Sequence, residues 1–160
     1  MDSAQLSAAI GDLLRTRRWT LALAESCTGG LLGHLITDVP GSSDYFLGGV
    51  IAYSNEAKEQ LLGVRNATLL EHGAVSEATA REMAAGARRL LGAHVALAVT
   101  GIAGPGGGTP DKPVGLVYIA LDAPDQQWCR RYVWRGDRAA NKSSSARAAL
   151  LLLYDYLFHP

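Results

Sequence analysis

Short apolar runs alternate along this chain with longer segments whose apolar residues recur at helical spacing. That alternation restricts the fold more than any other feature. Residues 21–24 and 95–100 are too short for helices and too apolar to face water on either side, so they read as buried strands. Residues 46–53, 114–121 and 128–134 read as further strands, the last at an edge. The intervening segments are helical. Leu6, Ile10, Leu13 and Leu14 keep helical spacing to about Arg17 behind Ser3 as the expected N-cap, and Leu31, Leu32, Leu35 and Ile36 mark a second helix. A third starts near Ser54 or Asn55 and runs through Lys58, Leu61 and Leu62. Ser76 caps a fourth, with Glu77 in its first turn and Met83, Ala87, Leu90 and Leu91 on one stripe. The last, from about Asn141 to Phe158, buries Ala146, Leu150, Leu153 and Leu157.

Strands separated by helices predict an α/β fold, a three-layer α/β/α sandwich. No helix separates residues 114–121 from 128–134, so these form an antiparallel hairpin and the sheet is mixed, though mostly parallel. Strand order is not encoded in these patterns. The 160 residues suit one domain over residues 1–160.

Fifteen basic residues balance fifteen acidic ones, which argues against nucleic acid or a membrane surface as partner, so any phosphate must be held locally. No run approaches the roughly 20 apolar residues of a membrane span, and the polar N-terminal segment does not read as a signal peptide. Cys27 and Cys129 allow one bridge, but two thiols of a cytoplasmic protein fit better. His34, His72, His94 and His159 are scattered, so no metal site is expected. Trp128 and Trp134 fit either an interface between like chains or an edge strand covered by its own helix.

Three loops carry polar residues where α/β folds bind ligands, beyond the carboxyl ends of strands. In Ser26-Cys27-Thr28-Gly29-Gly30, a serine leads from strand to helix, resembling a nucleophile elbow; a plain helix cap explains it as well. The second loop holds Ser42 and Ser43 and leads to Tyr53, Ser54 and Lys58. A buried Lys58 would have a lowered pKa and act as a base, whereas a solvated one would do nothing. The third, residues 100–110, holds so many glycines that several backbone amides can reach an anion or a ribose, unless it is only a flexible lid.

Taken in order, Ala24-Glu25-Ser26-Cys27-Thr28-Gly29-Gly30, Gly41-Ser42-Ser43, Gly48-Gly49, Tyr53-Ser54-Asn55 with Lys58, Gly73-Ala74-Val75-Ser76 and Thr100-Gly101-Ile102-Ala103-Gly104-Pro105 resemble the C-terminal domain of the competence/damage-inducible (CinA) family. The length suggests a stand-alone version of that domain. The resemblance implies a nicotinamide mononucleotide amidohydrolase that uses a Ser/Lys pair and releases ammonia, with no cofactor and a small nucleotide as its partner. It implies Ser26, Lys58, Ser43 and Tyr53 as catalytic residues; the backbone amides of the strand-to-helix turn, which can hold an oxyanion, favour Ser26 over Ser43 as nucleophile. Substrate contacts fall to Thr28, Gly29, Thr100, Gly101, Gly104, Arg138 and Lys142. Lys142 stands where the family usually has arginine, which keeps the charge without the bidentate fork. The other reading is a nucleotide-binding regulatory module without turnover, in which Lys58 would face solvent.

Overall fold

In a computed structural model, which describes residues 1–159, β1 (Leu21–Glu25) and β3 (Val95–Gly101) lie side by side and parallel within a five-stranded sheet. Side-chain size alternates along them. Leu21, Leu23, Val95, Leu97 and Val99 face one side, with Ile119 and Leu121 from β4 (Leu116–Asp122), while Ala22, Ala24, Ala96, Ala98 and Ala120 face the other. The leucine face is covered by α1 (Ser3–Arg17), α2 (Leu31–Thr37) and α6 (Arg138–Phe158). The alanine face is covered by α3 (Asn55–Leu62), α4 (Asn66–His72) and α5 (Glu77–Leu91), whose own contacts include Ala80, Met83, Ala84 and Ala87. Small residues on both sides let α5 lie close to the sheet. Gly86 carries this closeness into the helix layer, since a Cβ there would sit 1.8 Å from the Leu62 carbonyl oxygen at the end of α3.

The strand order is β2-β1-β3-β4-β5, with β2 at Phe46–Ile51 and β5 at Gln127–Val133. β1 pairs in parallel with β2 and β3, and β4 runs antiparallel to β3 and β5, so the expected hairpin is present and the sheet is mixed. The connection from β1 to β2 uses α2 on one face, and that from β2 to β3 uses α3, α4 and α5 on the other. The connections that leave the neighbouring strands β1 and β2 therefore go to opposite faces, which opens a crevice beyond their carboxyl ends.

Several boundaries differ from the sequence reading, each for a local reason. Asp2, not Ser3, caps α1, because its side chain accepts from Gln5 N–H while the Gln5 side chain accepts from Asp2 N–H. α6 begins at Arg138 rather than Asn141, because Asp137 accepts from Ala140 N–H. β4 begins at Leu116 because Gly115 turns at a φ of 92°. α4 is a short helix that the periodicity did not show, and Leu90 is exposed rather than on the buried stripe of α5. Trp128 packs edge-on against Tyr156 of α6, and Trp134 donates to Ser145 Oγ, so α6 covers the aromatic face of β5. Among the described residues no helix is long and apolar enough to cross a membrane.

Candidate active site

Where β1 ends, Glu25 is a buried carboxylate among apolar neighbours. It accepts from Thr28 Oγ1 at 2.7 Å, Gly30 N at 3.2 Å and Leu32 N at 2.9 Å through Oε1, and from Gly33 N at 3.0 Å through Oε2. A carboxylate here meets the free amides and positive end of α2, so it replaces a conventional cap and fixes the turn at residues 26–30. Ser26 N–H donates to Val99 O of β3, which ties the turn to the neighbouring strand. Among the described residues no acceptor takes the amides of Cys27 and Thr28.

α3 starts just beyond β2, capped by Ser54, and aims Lys58 back across the strand ends. Lys58 is 1% exposed. Its Nζ lies 3.0 Å from Ser26 Oγ, 3.1 Å from Ala52 O and 3.1 Å from Tyr53 O. Burial pushes its pKa down, against a smaller opposing effect of Cys27. The neutral amine has two N–H bonds and one lone pair. Both carbonyls can only accept, so they take the two N–H donors and the lone pair is left for the Ser26 hydroxyl proton. The same three neighbours satisfy an ammonium, with Ser26 Oγ then accepting. The site thus serves both protonation states with little movement.

Ser26 and Lys58 line a cavity of about 260 Å³ with Cys27, Tyr53, Asn55 and Arg138. Burial raises the Cys27 thiol to about 11, so it stays protonated near neutrality and is a poor competitor for the role of nucleophile. Ala74 and Val75, ahead of α5, form one wall, and Thr100, Gly101 and Gly104 lie on another. The Thr100 hydroxyl donates to Ala74 O, joining these walls. Gly101 has no room for a side chain, since a Cβ would stand 2.5 Å from Val117 Cγ2. The glycine loop is held from α6: Asn141 Nδ2 donates to Ala103 O and Arg138 Nη1 to Gly104 O. Arg138 Nη2 also donates to the Tyr53 hydroxyl at 3.2 Å. The loop is therefore pinned at its start and is not a free lid.

Most of the residues singled out in the sequence meet here, and three, Tyr53, Thr28 and Ser43, do not take the expected place. Tyr53 reaches Lys58 through its backbone carbonyl, while its phenol bonds Arg138. The Thr28 hydroxyl is occupied by Glu25, and Thr28 does not line the cavity; it supports the turn rather than a ligand. Gly29, at a φ of 58°, leaves space beside the turn for the Lys142 ammonium, which with Arg138 borders a shallow depression next to the cavity. Ser43 is the clear correction. It is exposed in a short 3-10 turn (Ser42–Asp44) ahead of β2, whereas Ser26 follows β1. Because the two strands are parallel, these positions lie at opposite ends of the sheet, roughly 15 Å apart at strand rise. Ser43 does not reach Lys58 of its own chain.

Glu25, Cys27 and Asn141 were not anticipated. The available signal for Glu25 was an acid closing an otherwise apolar run, a few residues before a helix.

The sequence pattern of the CinA C-terminal domain matches residues 3–157. A CinA-like protein of Salinibacter ruber is 54% identical over 145 residues, covering 91% of this chain and 35% of its own length. One from Thermotoga maritima is 50% identical over 145 residues, covering 91% and 35%. The chain thus spans about a third of the length of these curated relatives. The crystal structure of the competence damage-inducible protein A from Klebsiella pneumoniae superposes with a TM-score of 0.96 at 38% identity, covering 99% of both chains. That of a competence/damage inducible protein from Agrobacterium tumefaciens gives 0.96 at 38% identity, covering 99% of this chain and 97% of the other. By sequence and by fold, the chain belongs to the CinA C-terminal domain family.

Proposed function

We propose that the chain is an amidohydrolase that converts nicotinamide mononucleotide and water to nicotinate mononucleotide and ammonia, with Ser26 as nucleophile and Lys58 as base. The observation that carries this reading is the buried Lys58 amine 3.0 Å from Ser26 Oγ, with its two carbonyl partners orienting the lone pair. The neutral amine takes the Ser26 proton as Oγ bonds to the carboxamide carbon. The negative oxygen that develops faces the free amide of Cys27, in a turn fixed in advance by the Glu25 clamp. Lys58, now an ammonium, returns the proton to the departing nitrogen, the C–N bond breaks and ammonia leaves. Water then attacks the Ser26 ester with Lys58 again as base, giving the carboxylate and free Ser26.

The ribose and phosphate extend past Thr100, Gly101 and Gly104 toward Arg138 and Lys142. Two cations beside a glycine loop suit one phosphate in a chain of no net charge. No cofactor is needed for these steps, and the two free cysteines suit a cytoplasmic enzyme. A module that only binds nucleotide has no use for a lysine withdrawn from solvent against a serine.

Ammonia release from nicotinamide mononucleotide tests the proposal. Ser26→Ala and Lys58→Met are each expected to lower turnover by about a thousandfold or more. Near-normal turnover in either variant refutes the assignment.

A further inference from the structure

The cavity is short of negative charge. None of the described residues that line it is an aspartate or a glutamate. Glu25 lies behind the turn, with its carboxylate oxygens committed to Thr28 and the first amides of α2. Cys27 stays a thiol near neutrality, and the Tyr53 phenol accepts from Arg138. Glu56 and Glu59, on the helix that carries Lys58, do not line the cavity. On α5, which packs against that helix, Glu77 pairs with Arg81, and Glu82 serves Arg65 and Thr68. The other charges at the cavity and its margin, Arg138 and Lys142, are cations. Lys58 as an ammonium therefore has only two carbonyls and a hydroxyl to balance it.

A carboxamide attacked by Ser26 brings its ring close to that amine. Oγ is 3.0 Å from Lys58 Nζ. A reacting carbon stands about 3 Å from Oγ, so a ring bonded directly to it is centred about 6 Å from Nζ. A nicotinamide ring that carries ribose is a pyridinium cation. At that separation, with an effective dielectric of about 20, it disfavours the ammonium against the neutral amine by roughly a hundredfold. Hydrolysis reverses the sign. The product carboxylate lies about 4 Å from Nζ, nearer than the ring, and outweighs it by roughly tenfold in favour of the ammonium. Lys58 needs no movement to change state, because Ala52 O and Tyr53 O accept from it in both.

We propose that Lys58 reads the charge of its ligand: a cationic heteroaromatic carboxamide displaces the Lys58 proton to solvent as it binds and so creates its own base, whereas the carboxylate product binds with that proton restored. The proton given up when the product acid ionises is the one that Lys58 takes. Neutral amides do not arm the base, so the site selects cationic rings without any acidic residue touching the ring nitrogen. This deepens the amidohydrolase reading and rests on it.

Three ligands with the same ribose and phosphate isolate the effect: nicotinamide mononucleotide, its dihydro form with an uncharged ring, and nicotinate mononucleotide. Calorimetric titration of the Ser26→Ala chain, in buffers of different ionisation enthalpy, counts the protons exchanged on binding. Below the pH at which free Lys58 titrates, nicotinamide mononucleotide is expected to release close to one proton, and its affinity to rise about tenfold per pH unit. Above that pH, nicotinate mononucleotide is expected to take up a proton and to lose affinity by about tenfold. The dihydro form is expected to release no proton beyond what the shared phosphate exchanges. Both dependences are expected to vanish in the Ser26→Ala/Lys58→Met chain. The unaltered enzyme gives a second readout without any substitution: kcat is expected to reach its plateau about two pH units below kcat/KM, the hundredfold preference expressed as a shift. Equal proton exchange with all three ligands, a dependence that survives Lys58→Met, or coincident plateaus overturns the proposal and leaves the amidohydrolase standing. If the unaltered chain neither binds nor deamidates nicotinamide mononucleotide, the substrate reading falls and this proposal falls with it.

Discussion

Replacing Glu25 by glutamine tests whether the turn behind the nucleophile is held by charge. The substitution changes almost no volume, so the effect comes from hydrogen bonding and charge. Oε1 of a glutamine can still accept from Thr28, Gly30 and Leu32, but the amide nitrogen then stands where Oε2 accepts from Gly33 N–H at 3.0 Å. Two donors face each other, and turning the amide over makes matters worse by opposing three donors. A buried N–H left without an acceptor costs about 1–3 kcal/mol. Losing a negative charge at the N-terminus of α2 adds about 1 kcal/mol. Together these give about 3 kcal/mol, equivalent to a fall in Tm of roughly 10 °C for a domain of this size. Turnover should drop by at least about tenfold at temperatures where Glu25→Gln remains folded, because the Cys27 amide loses its fixed direction. Thermal denaturation followed by circular dichroism reads the first effect, and ammonia release at 20 to 25 °C the second. A Glu25→Gln variant with unchanged Tm and unchanged kcat would refute the clamp.

Four further outcomes are expected. kcat/KM should rise with pH through the lowered pKa of Lys58 and then level off, because the free enzyme must hold the neutral amine; a profile flat or falling across that range contradicts Lys58 as base. In unfolding experiments the folded state binds this proton less tightly than the unfolded chain does, so stability should rise with pH from the lowered value towards about 10.4, by no more than about 1.4 kcal/mol per pH unit, and Lys58→Met should lack that rise. Lys142→Ala should raise KM for nicotinamide mononucleotide by about tenfold or more with little change in kcat, and should leave the phosphate-free riboside unaffected; an equal loss with both substrates would show that Lys142 does not hold the phosphate. Gly86→Ala should cost about 3 kcal/mol or more, read by urea denaturation, and lower kcat as well, because parting α3 from α5 withdraws Lys58 from Ser26.

The strands and most helices were legible because their periodicity is strong and their interruptions are abrupt, as at Glu25 and Gly101. Helix starts were less so. Asp2 and Ser3, or Asp137 and Asn141, are near-equivalent as caps in a sequence, and only the direction of a side chain decides between them. In the site, Ser26 and Lys58 each had a plain alternative, a helix cap and a solvated side chain, and it was the ordered set of family motifs that singled them out. Ser43 was misplaced within its own chain because closeness in sequence to Lys58 hides the fact that a whole strand separates them. Thr28 was misassigned for another reason: a hydroxyl in a binding loop and a hydroxyl serving a buried carboxylate look alike until the carboxylate is seen to point at it.

The two faces of the sheet set different rules for how this protein can change. On the leucine face, one side chain can shrink while a neighbour grows, so equal total volume can be reached by many combinations of Leu, Ile, Val and Met. On the alanine face there is nothing smaller to exchange for except glycine, and every other substitution adds atoms beneath α5. Variation over time should therefore accumulate behind α1 and α6 and stall behind α5. A deep substitution scan would show the sheet as two unlike surfaces, one permissive and one nearly frozen, and the frozen one carries the helices that aim Lys58.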